Sequence, residues 1–397
     1  MKRDLFRATA AVAALVLLVS SAWGDSPRQA SGAGLGDVSH AEVAAAKPGD
    51  ILRVWPQEGG SSAGGRAFRI LYRSTSIAGE PLAVSGAIFV PDDLAPPEGR
   101  KVVAWAHPTT GVVGKCAPTL LPDLSGAIPG LDDMLSRGFV VVATDYVGLG
   151  TSGQHPYLIG ESEARSVLDS VRAARRFPGA KAGDTFAVWG HSQGGHAALF
   201  TGQLAASYAP ELKLAGVAAA APATELAQLF DADINTNAGR TLSAMALYSW
   251  AKVFDARLTS ILDTSAKSSF ESVAHDCIES LSEMLKIEQD TEGLYQRFLK
   301  GNPTKLAPWK DIMARNSPGA APIGAPVFIA QGTADDIVRP HITKRYAESL
   351  CRAGTRVHML ALDGVSHTFA GMDSANAAVA WMADRLAGRP APSDCRR

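Results

Sequence analysis

Charge of one sign is nowhere in excess: 38 Lys and Arg stand against 39 Asp and Glu, for a formal net charge of −1, and the basic residues are scattered. The clustered basic face that a phosphate backbone requires is missing, which excludes nucleic acid as a partner. Cysteine is sparse as well. Cys116, Cys277, Cys351 and Cys395 are the full set, and none stands in the clustered Cys/His spacing of a zinc site. Beyond the N-terminus no apolar run is long enough to cross a bilayer; the run at 214–222 is strand-sized. Internal repeats are absent. What remains is a chain of 397 residues, 46% hydrophobic and 19% charged, a composition that reads as globular.

The N-terminus is the exception to that pattern. Lys2, Arg3 and Arg7 flank an apolar run at 8–19, and small residues at Ala22 and Gly24 stand before Asp25. This is the layout of a secretory signal peptide, assigned to residues 1–24, with an uncleaved anchor as the alternative. A secreted or periplasmic destination changes the meaning of four cysteines, because an even count in an oxidising compartment favours two disulfides. Three pairings are open at this point, and free buried thiols are the plain alternative.

Residues 25 to about 46 are rich in Gly, Ala and Ser without apolar period and read as a loosely held leader. Alternating runs at 68–76 and 83–91, joined by Ala78-Gly79-Glu80, predict an antiparallel opening pair. Then come short apolar runs at 102–107, 139–145, 186–190, 214–220, 327–331 and 357–362, suited to strands buried on both faces. Helical stretches at 161–177, 194–208, 341–352 and 375–386 alternate with them, which predicts an α/β fold with a mostly parallel central sheet flanked by helices. Residues 224–315 break the alternation with helical stretches at 242–262 and 270–288 and no convincing strand. They are read as a helical cap inserted between two parts of one core, 25–223 and 316–397, over the strands' C-terminal edge where such folds bind ligands.

The chemistry is concentrated in Phe186-Ala-Val-Trp-Gly-His-Ser-Gln-Gly-Gly-His196. A strand, a Gly-x-Ser-x-Gly turn and a helix form a nucleophile elbow, in which glycines permit the sharp turn that exposes Ser192. At the start of the following helix the backbone N–H of Gln193 is placed to stabilise an oxyanion. A serine hydroxyl needs a base and an orienting carboxylate, in the chain order Ser, Asp, His for this arrangement. Asp335 turns off the strand at 327–331, with Asp336 as the near alternative, and His367 lies in the loop after the last strand. Of the other histidines, His191 is expected to point away within the elbow, His358 sits in a strand, His341 opens a helix and His196 packs or caps. The second oxyanion donor should come from Ala106-His-Pro-Thr-Thr-Gly111. Pro108 has no N–H, so Thr109 is the expected donor, by backbone and hydroxyl, and Thr110 the second choice. Gly148-Leu-Gly-Thr-Ser-Gly153 matches the dinucleotide fingerprint, but the next helix starts too late to receive a pyrophosphate. It is read as a glycine-rich loop, and no cofactor is expected.

The segments Ala104-Trp-Ala-His-Pro-Thr-Thr-Gly111 with Cys116-Ala-Pro, Ala143-Thr-Asp-Tyr-Val-Gly-Leu-Gly150, His155-Pro-Tyr157 with Gly160-Glu-Ser-Glu-Ala-Arg165, Gly190-His-Ser-Gln-Gly-Gly195 and Gln331-Gly-Thr-Ala-Asp335 with Cys351 together resemble the secretory lipase family, which includes the yeast lipase A type. The resemblance spans most of the chain after about Ala67. It implies the α/β-hydrolase fold, a helical cap, hydrolysis of acyl esters including glycerides, no cofactor, and a Ser192, Asp335, His367 triad. It also implies Cys116 paired with Cys277 and Cys351 with Cys395. Pro108 departs from the glycine usual at that place in the family. The expected partner is a small-molecule or lipid ester, met by a monomer with transient contact at a lipid interface. Rival readings are a short-chain esterase, a small-amide hydrolase of the same fold, and a non-catalytic binding protein on a hydrolase scaffold.

Overall fold

The computed structural model describes residues 38–57, 64–278, 281–295, 297–319 and 321–395, so the expected signal peptide lies outside the described residues. Among the described residues nine strands form one sheet in the order β1-β2-β3-β5-β4-β6-β7-β8-β9. They are β1 (Ile51–Gln57), β2 (Arg66–Thr75), β3 (Pro81–Val90), β4 (Arg100–Ala106), β5 (Val140–Thr144), β6 (Ala182–His191), β7 (Lys213–Ala220), β8 (Val327–Gly332) and β9 (Val357–Leu362). The pairs β1/β2, β2/β3 and β3/β5 are antiparallel, and every pair from β5 through to β9 is parallel. A mostly parallel sheet flanked by helices is therefore what the chain forms, as the alternation of apolar runs and helical stretches predicts.

Both faces of the central parallel strands are covered, which is why they read as apolar runs, while the edge strand β9 is only partly buried. Along β4, Val102, Ala104 and Ala106 join one core layer, with Val167 and Leu168 of α3 (Gly160–Arg176), Ala197 of α4 (Gln193–Tyr208) and Leu350 of α10 (Pro340–Arg352). Val103 and Trp105 join the other, with Met134 of α2 (Leu131–Ser136) and Val379 and Met382 of α11 (Ala370–Leu386). The period of two along the strand sends successive side chains into opposite layers.

The last residues of the expected leader and the first strand depart from the sequence reading; residues 25–37 lie outside the described residues. Residues 40–45 form a helix, α1 (His40–Ala45), whose start is capped by the Ser39 hydroxyl accepting from Glu42 N–H. Strand β1 precedes the expected pair; it is half-exposed along its length and carries Pro56, a residue that sheets accept at an edge. A strand of that kind has no clear apolar alternation to betray it.

Between β7 and β8 lie α5 (Leu226–Asp233), α6 (Asn237–Val253), α7 (Lys267–Ala274), α8 (Leu281–Thr291) and α9 (Trp309–Arg315), and Leu262 pairs with Leu299 in an isolated bridge. Helix α6 stops short of the expected 262 because Asp255 takes a positive φ of 49°. The stretch expected at 270–288 is divided into α7 and α8 because the chain leaves the helix to bond elsewhere. Ile278 N–H donates to Thr110 O at 2.9 Å, and Cys277 joins Cys116. These helices share an apolar cluster with Tyr157, Leu158 and Ile159 of the β5–α3 connection, including the stacked rings of Phe230 and Trp250.

Candidate active site

Ser192 stands at the junction of β6 and α4 with φ 56° and ψ −114°, a conformation that costs a non-glycine residue on the order of 1–3 kcal/mol. The glycines around it are required by close approach. A Cβ on Gly190 would lie 2.0 Å from Gly194 O, and one on Gly194 would lie 1.8 Å from Ala106 O, inside the backbone of the neighbouring strand. Ser192 N–H donates to Ala220 O at 2.9 Å, which ties the turn to β7. Gln193 is the first residue of α4, so its N–H is one of those without an intrahelical acceptor and sits at the positive end of the helix.

Two loops bring the other polar groups to this hydroxyl. His367 opens a single 3-10 turn after β9, and its Nε2 lies 2.8 Å from Ser192 Oγ. On the far side of the ring, Nδ1–H donates to Asp335 Oδ2 at 2.9 Å. The loops are fastened together: Thr333 N–H donates to Leu362 O and Ala334 N–H to Val365 O, and a Cβ on Gly332 would lie 2.2 Å from Val365 O. Asp335 is buried and fully partnered, accepting also from Ile337 N–H at 3.0 Å, Val338 N–H at 2.7 Å and Gln331 Nε2 at 3.0 Å. Asp336 is exposed.

Gln331 and His191 are parts of this arrangement that the sequence reading did not assign. Gln331 is fixed at its other end by Thr343, whose hydroxyl donates to Oε1 at 2.6 Å. His191, expected to point away, instead lies beside His367, with ring centroids 5.1 Å apart and Nε2–H donating to His367 O at 2.9 Å. Burial pushes the His191 imidazole down to about 3, helped by the neighbouring His367. It therefore stays neutral next to the ring that would carry charge.

The elbow helix is anchored by a second buried network. Gln193 Nε2 donates to Glu163 Oε1 at 2.8 Å and to His155 Nε2 at 3.0 Å, and His155 Nδ1–H donates to Val147 O at 2.8 Å. His196 fills the other carboxylate oxygen, with Nδ1 2.7 Å from Glu163 Oε2 and Nε2 2.7 Å from Asn316 O. The loop after β4 runs alongside. His107 is buried, its ring against Tyr146, and burial lowers its imidazole to about 4. Thr109 Oγ1 lies 2.8 Å from the Tyr157 hydroxyl. A cavity at the elbow is lined by Ser192, Gln193, Tyr157, Val338 and residues of α5 and α6, among them Leu226, Leu229, Phe230 and Leu242. His358 lies in β9 and pairs with Asp394, and His341 is in the first turn of α10. The loop 148–153 turns on glycines with positive φ, and the next helix begins at Gly160, seven positions past Gly153, so its N-terminus is not at the loop.

The four cysteines form two bridges, Cys116–Cys277 with S–S 2.08 Å and Cys351–Cys395 with S–S 2.02 Å. The first ties the loop after β4 to the segment after α7. The second holds the C-terminal tail beside β9, where Asp394 N–H donates to Val357 O at 2.8 Å. Full reduction should lower the melting temperature, because each bridge typically contributes about 2–4 kcal/mol. The check is a thermal scan after thiol titration shows four reacted cysteines; an unchanged midpoint would remove the stabilising role.

A family model described as Secretory lipase matches residues 130–394. Lipase 10 of Candida albicans is 26% identical over 383 residues, covering 89% of this chain and 81% of that protein. Among solved structures, Candida antarctica lipase A superposes with a TM-score of 0.75 at 17% identity, covering 89% of this chain and 86% of that one. The rice cell wall degrading esterase LipA from Xanthomonas oryzae superposes with a TM-score of 0.72 at 21% identity, covering 86% and 99%. At these identities the structural likenesses establish the α/β-hydrolase fold.

Proposed function

This chain belongs to the secretory lipase family and is a carboxylic ester hydrolase, and from that premise we propose a secreted lipase that cleaves acylglycerols through an acyl-enzyme on Ser192. The observation that carries this reading is the hydrogen-bonded line from Ser192 Oγ through His367 to Asp335, at 2.8 and 2.9 Å. His367 Nε2 takes the hydroxyl proton as Oγ bonds to the ester carbonyl carbon, and the carbonyl electron pair moves onto oxygen. Asp335 accepts from Nδ1–H and stabilises the imidazolium. The oxyanion is received by the Gln193 N–H and by Thr109. Collapse breaks the bond to the alcohol, which leaves with the proton returned by His367. Water then attacks the acyl carbon with His367 again as base, releasing the carboxylic acid and restoring the Ser192 hydroxyl.

The helical segment 224–315 acts in this proposal as a cap, since α5 and α6 supply much of the apolar lining of the cavity at Ser192. Residues 1–24 serve as the export signal, and the enzyme acts as a monomer that meets its substrate at a lipid surface. The test is steady-state hydrolysis of p-nitrophenyl esters from acetate to palmitate, together with emulsified triglyceride. Turnover of long chains and emulsion is the expected result. Activity confined to short chains makes the protein an esterase with a restrictive cap, and silence from folded enzyme defeats the acylglycerol reading.

A further inference from the structure

The loop that follows β4 carries proline where a backbone donor would serve an oxyanion, yet the hydroxyl of Thr109 beside it is not left to rotate freely. It lies 2.8 Å from the Tyr157 hydroxyl. Tyr157 is itself held rigidly: its N–H donates to Ser249 Oγ at 2.9 Å, its carbonyl accepts from Trp250 Nε1–H at 2.8 Å, and its ring is buried. Ser249 and Trp250 belong to α6, so the helical insertion fixes the phenol that meets the loop.

Counting protons leaves one hydrogen of the pair spare, and relative acidity decides which. Two hydroxyls carry two hydrogens, and one hydrogen bond between them uses only one. The other hydrogen must serve another acceptor. A phenol is the more acidic and the better donor, so Tyr157 O–H donates to Thr109 Oγ1 and leaves the Thr109 O–H as the spare donor. Burial raises the Tyr157 phenol above its ordinary range, which keeps it protonated and available to donate. The loop that carries Thr109 meets the nucleophile turn. A Cβ on Gly194 would touch Ala106 O at 1.8 Å and His107 O at 2.8 Å, so the nucleophile turn packs directly on the backbone that leads into Thr109. Tyr157 lines the same cavity as Ser192.

We propose that Tyr157 is a positioning residue for ester hydrolysis: by donating to Thr109 it aims the Thr109 hydroxyl hydrogen at the oxyanion of the tetrahedral intermediate, in place of the N–H that Pro108 lacks. The inference rests on the acyl-enzyme reading at Ser192. The arrangement has a chemical benefit, since a hydroxyl fixed before reaction pays no reorganisation as negative charge develops on the carbonyl oxygen.

The experiment compares Tyr157→Phe, Thr109→Val, Thr109→Ser and the double variant Tyr157→Phe/Thr109→Val on one soluble ester, with a melting temperature for each. Thr109→Val should lower kcat by about 10²-fold, the loss typical of one deleted oxyanion donor, with KM little changed. Tyr157→Phe should lower kcat about tenfold or more in the same pattern, and Thr109→Ser should retain wild-type turnover. The double variant should be no slower than Thr109→Val alone. Affinity for a boronic acid transition-state analogue should fall in step with kcat, a readout that a merely structural role for Tyr157 would not move. Wild-type kcat in folded Tyr157→Phe, or additive losses in the double variant, overturns the proposal. If Tyr157→Phe melts early, boronate affinity relative to substrate affinity in Thr109→Val and Thr109→Ser decides: equal ratios overturn it. Loss of activity in Ser192→Ala alongside an unaffected Tyr157→Phe would defeat this inference alone, whereas an active Ser192→Ala would defeat the reading beneath it.

Discussion

Ser192→Ala should lower kcat by about 10⁶-fold on any ester that the wild type turns over, and should leave the fold intact. The size follows from what is lost under the acyl-enzyme proposal: the oxygen that would form the covalent bond, without which only oxyanion stabilisation and substrate binding remain. The intact fold follows from the local geometry. Ser192 holds its strained φ of 56° through main-chain contacts, with N–H on Ala220 O and its carbonyl accepting from His196 and Ala223 N–H, and alanine keeps all of these. The hydroxyl itself bonds to His367. Kinetics on a matched pair of proteins, with thermal scans of both, provides the measurement. Residual turnover within a hundred or so of wild type would mean a different nucleophile and end the acyl-enzyme reading.

The fold was legible where side-chain pattern and burial agree. The central strands β4 and β5 and the second half of β6 are covered by helices on both faces, so they read as apolar runs, and Val102 through Ala106 can be buried in alternate layers without a polar break. Legibility fails where burial is partial. β1 is half-exposed and includes Arg53, Pro56 and Gln57, and so offers no period to detect. Within the insertion, the apolar pattern runs on past the true helix ends. What stops the helices is a backbone turn at Asp255 in one case and tertiary ties in the other, the Cys116–Cys277 bridge and the bond from Ile278 to Thr110.

The candidate site divides along the same line. Ser192 announces itself because the turn demands glycines on both sides in a local motif, and Asp335 and His367 follow from chain order at strand ends. The groups that hold them do not announce themselves. Gln331 sits inside a strand run and would pass as an ordinary strand residue, yet it links Asp335 to Thr343. His191 meets His367 across 176 positions of sequence, and Thr109 meets Tyr157 across 48. Such contacts are products of the assembled sheet. One signal was nevertheless present: buried-looking polar residues, Glu163, Gln193 and His196, standing on the inner faces of α3 and α4, need partners, and each other's company is the cheapest solution.

His367→Ala should be nearly as damaging as the loss of the nucleophile, about 10⁶-fold in kcat, and the double variant Ser192→Ala/His367→Ala should be little worse than either single one. The reason is that the hydroxyl is a nucleophile only while its proton has somewhere to go, so removing the base removes the function of the serine too. His191 stands close enough to invite compensation, with its ring centroid 5.1 Å from that of His367. It cannot supply it from its present position. Its Nε2–H is committed to the His367 carbonyl, a main-chain group that survives the substitution, and burial holds the ring far below the range of a base poised at neutral pH. The rate of His367→Ala should therefore lack the rise near neutral pH that a substitute imidazole would produce. Losses that add in the double variant, or a residual activity titrating like a histidine in His367→Ala, would separate Ser192 from His367 and break the unit that the 2.8 Å contact between them implies.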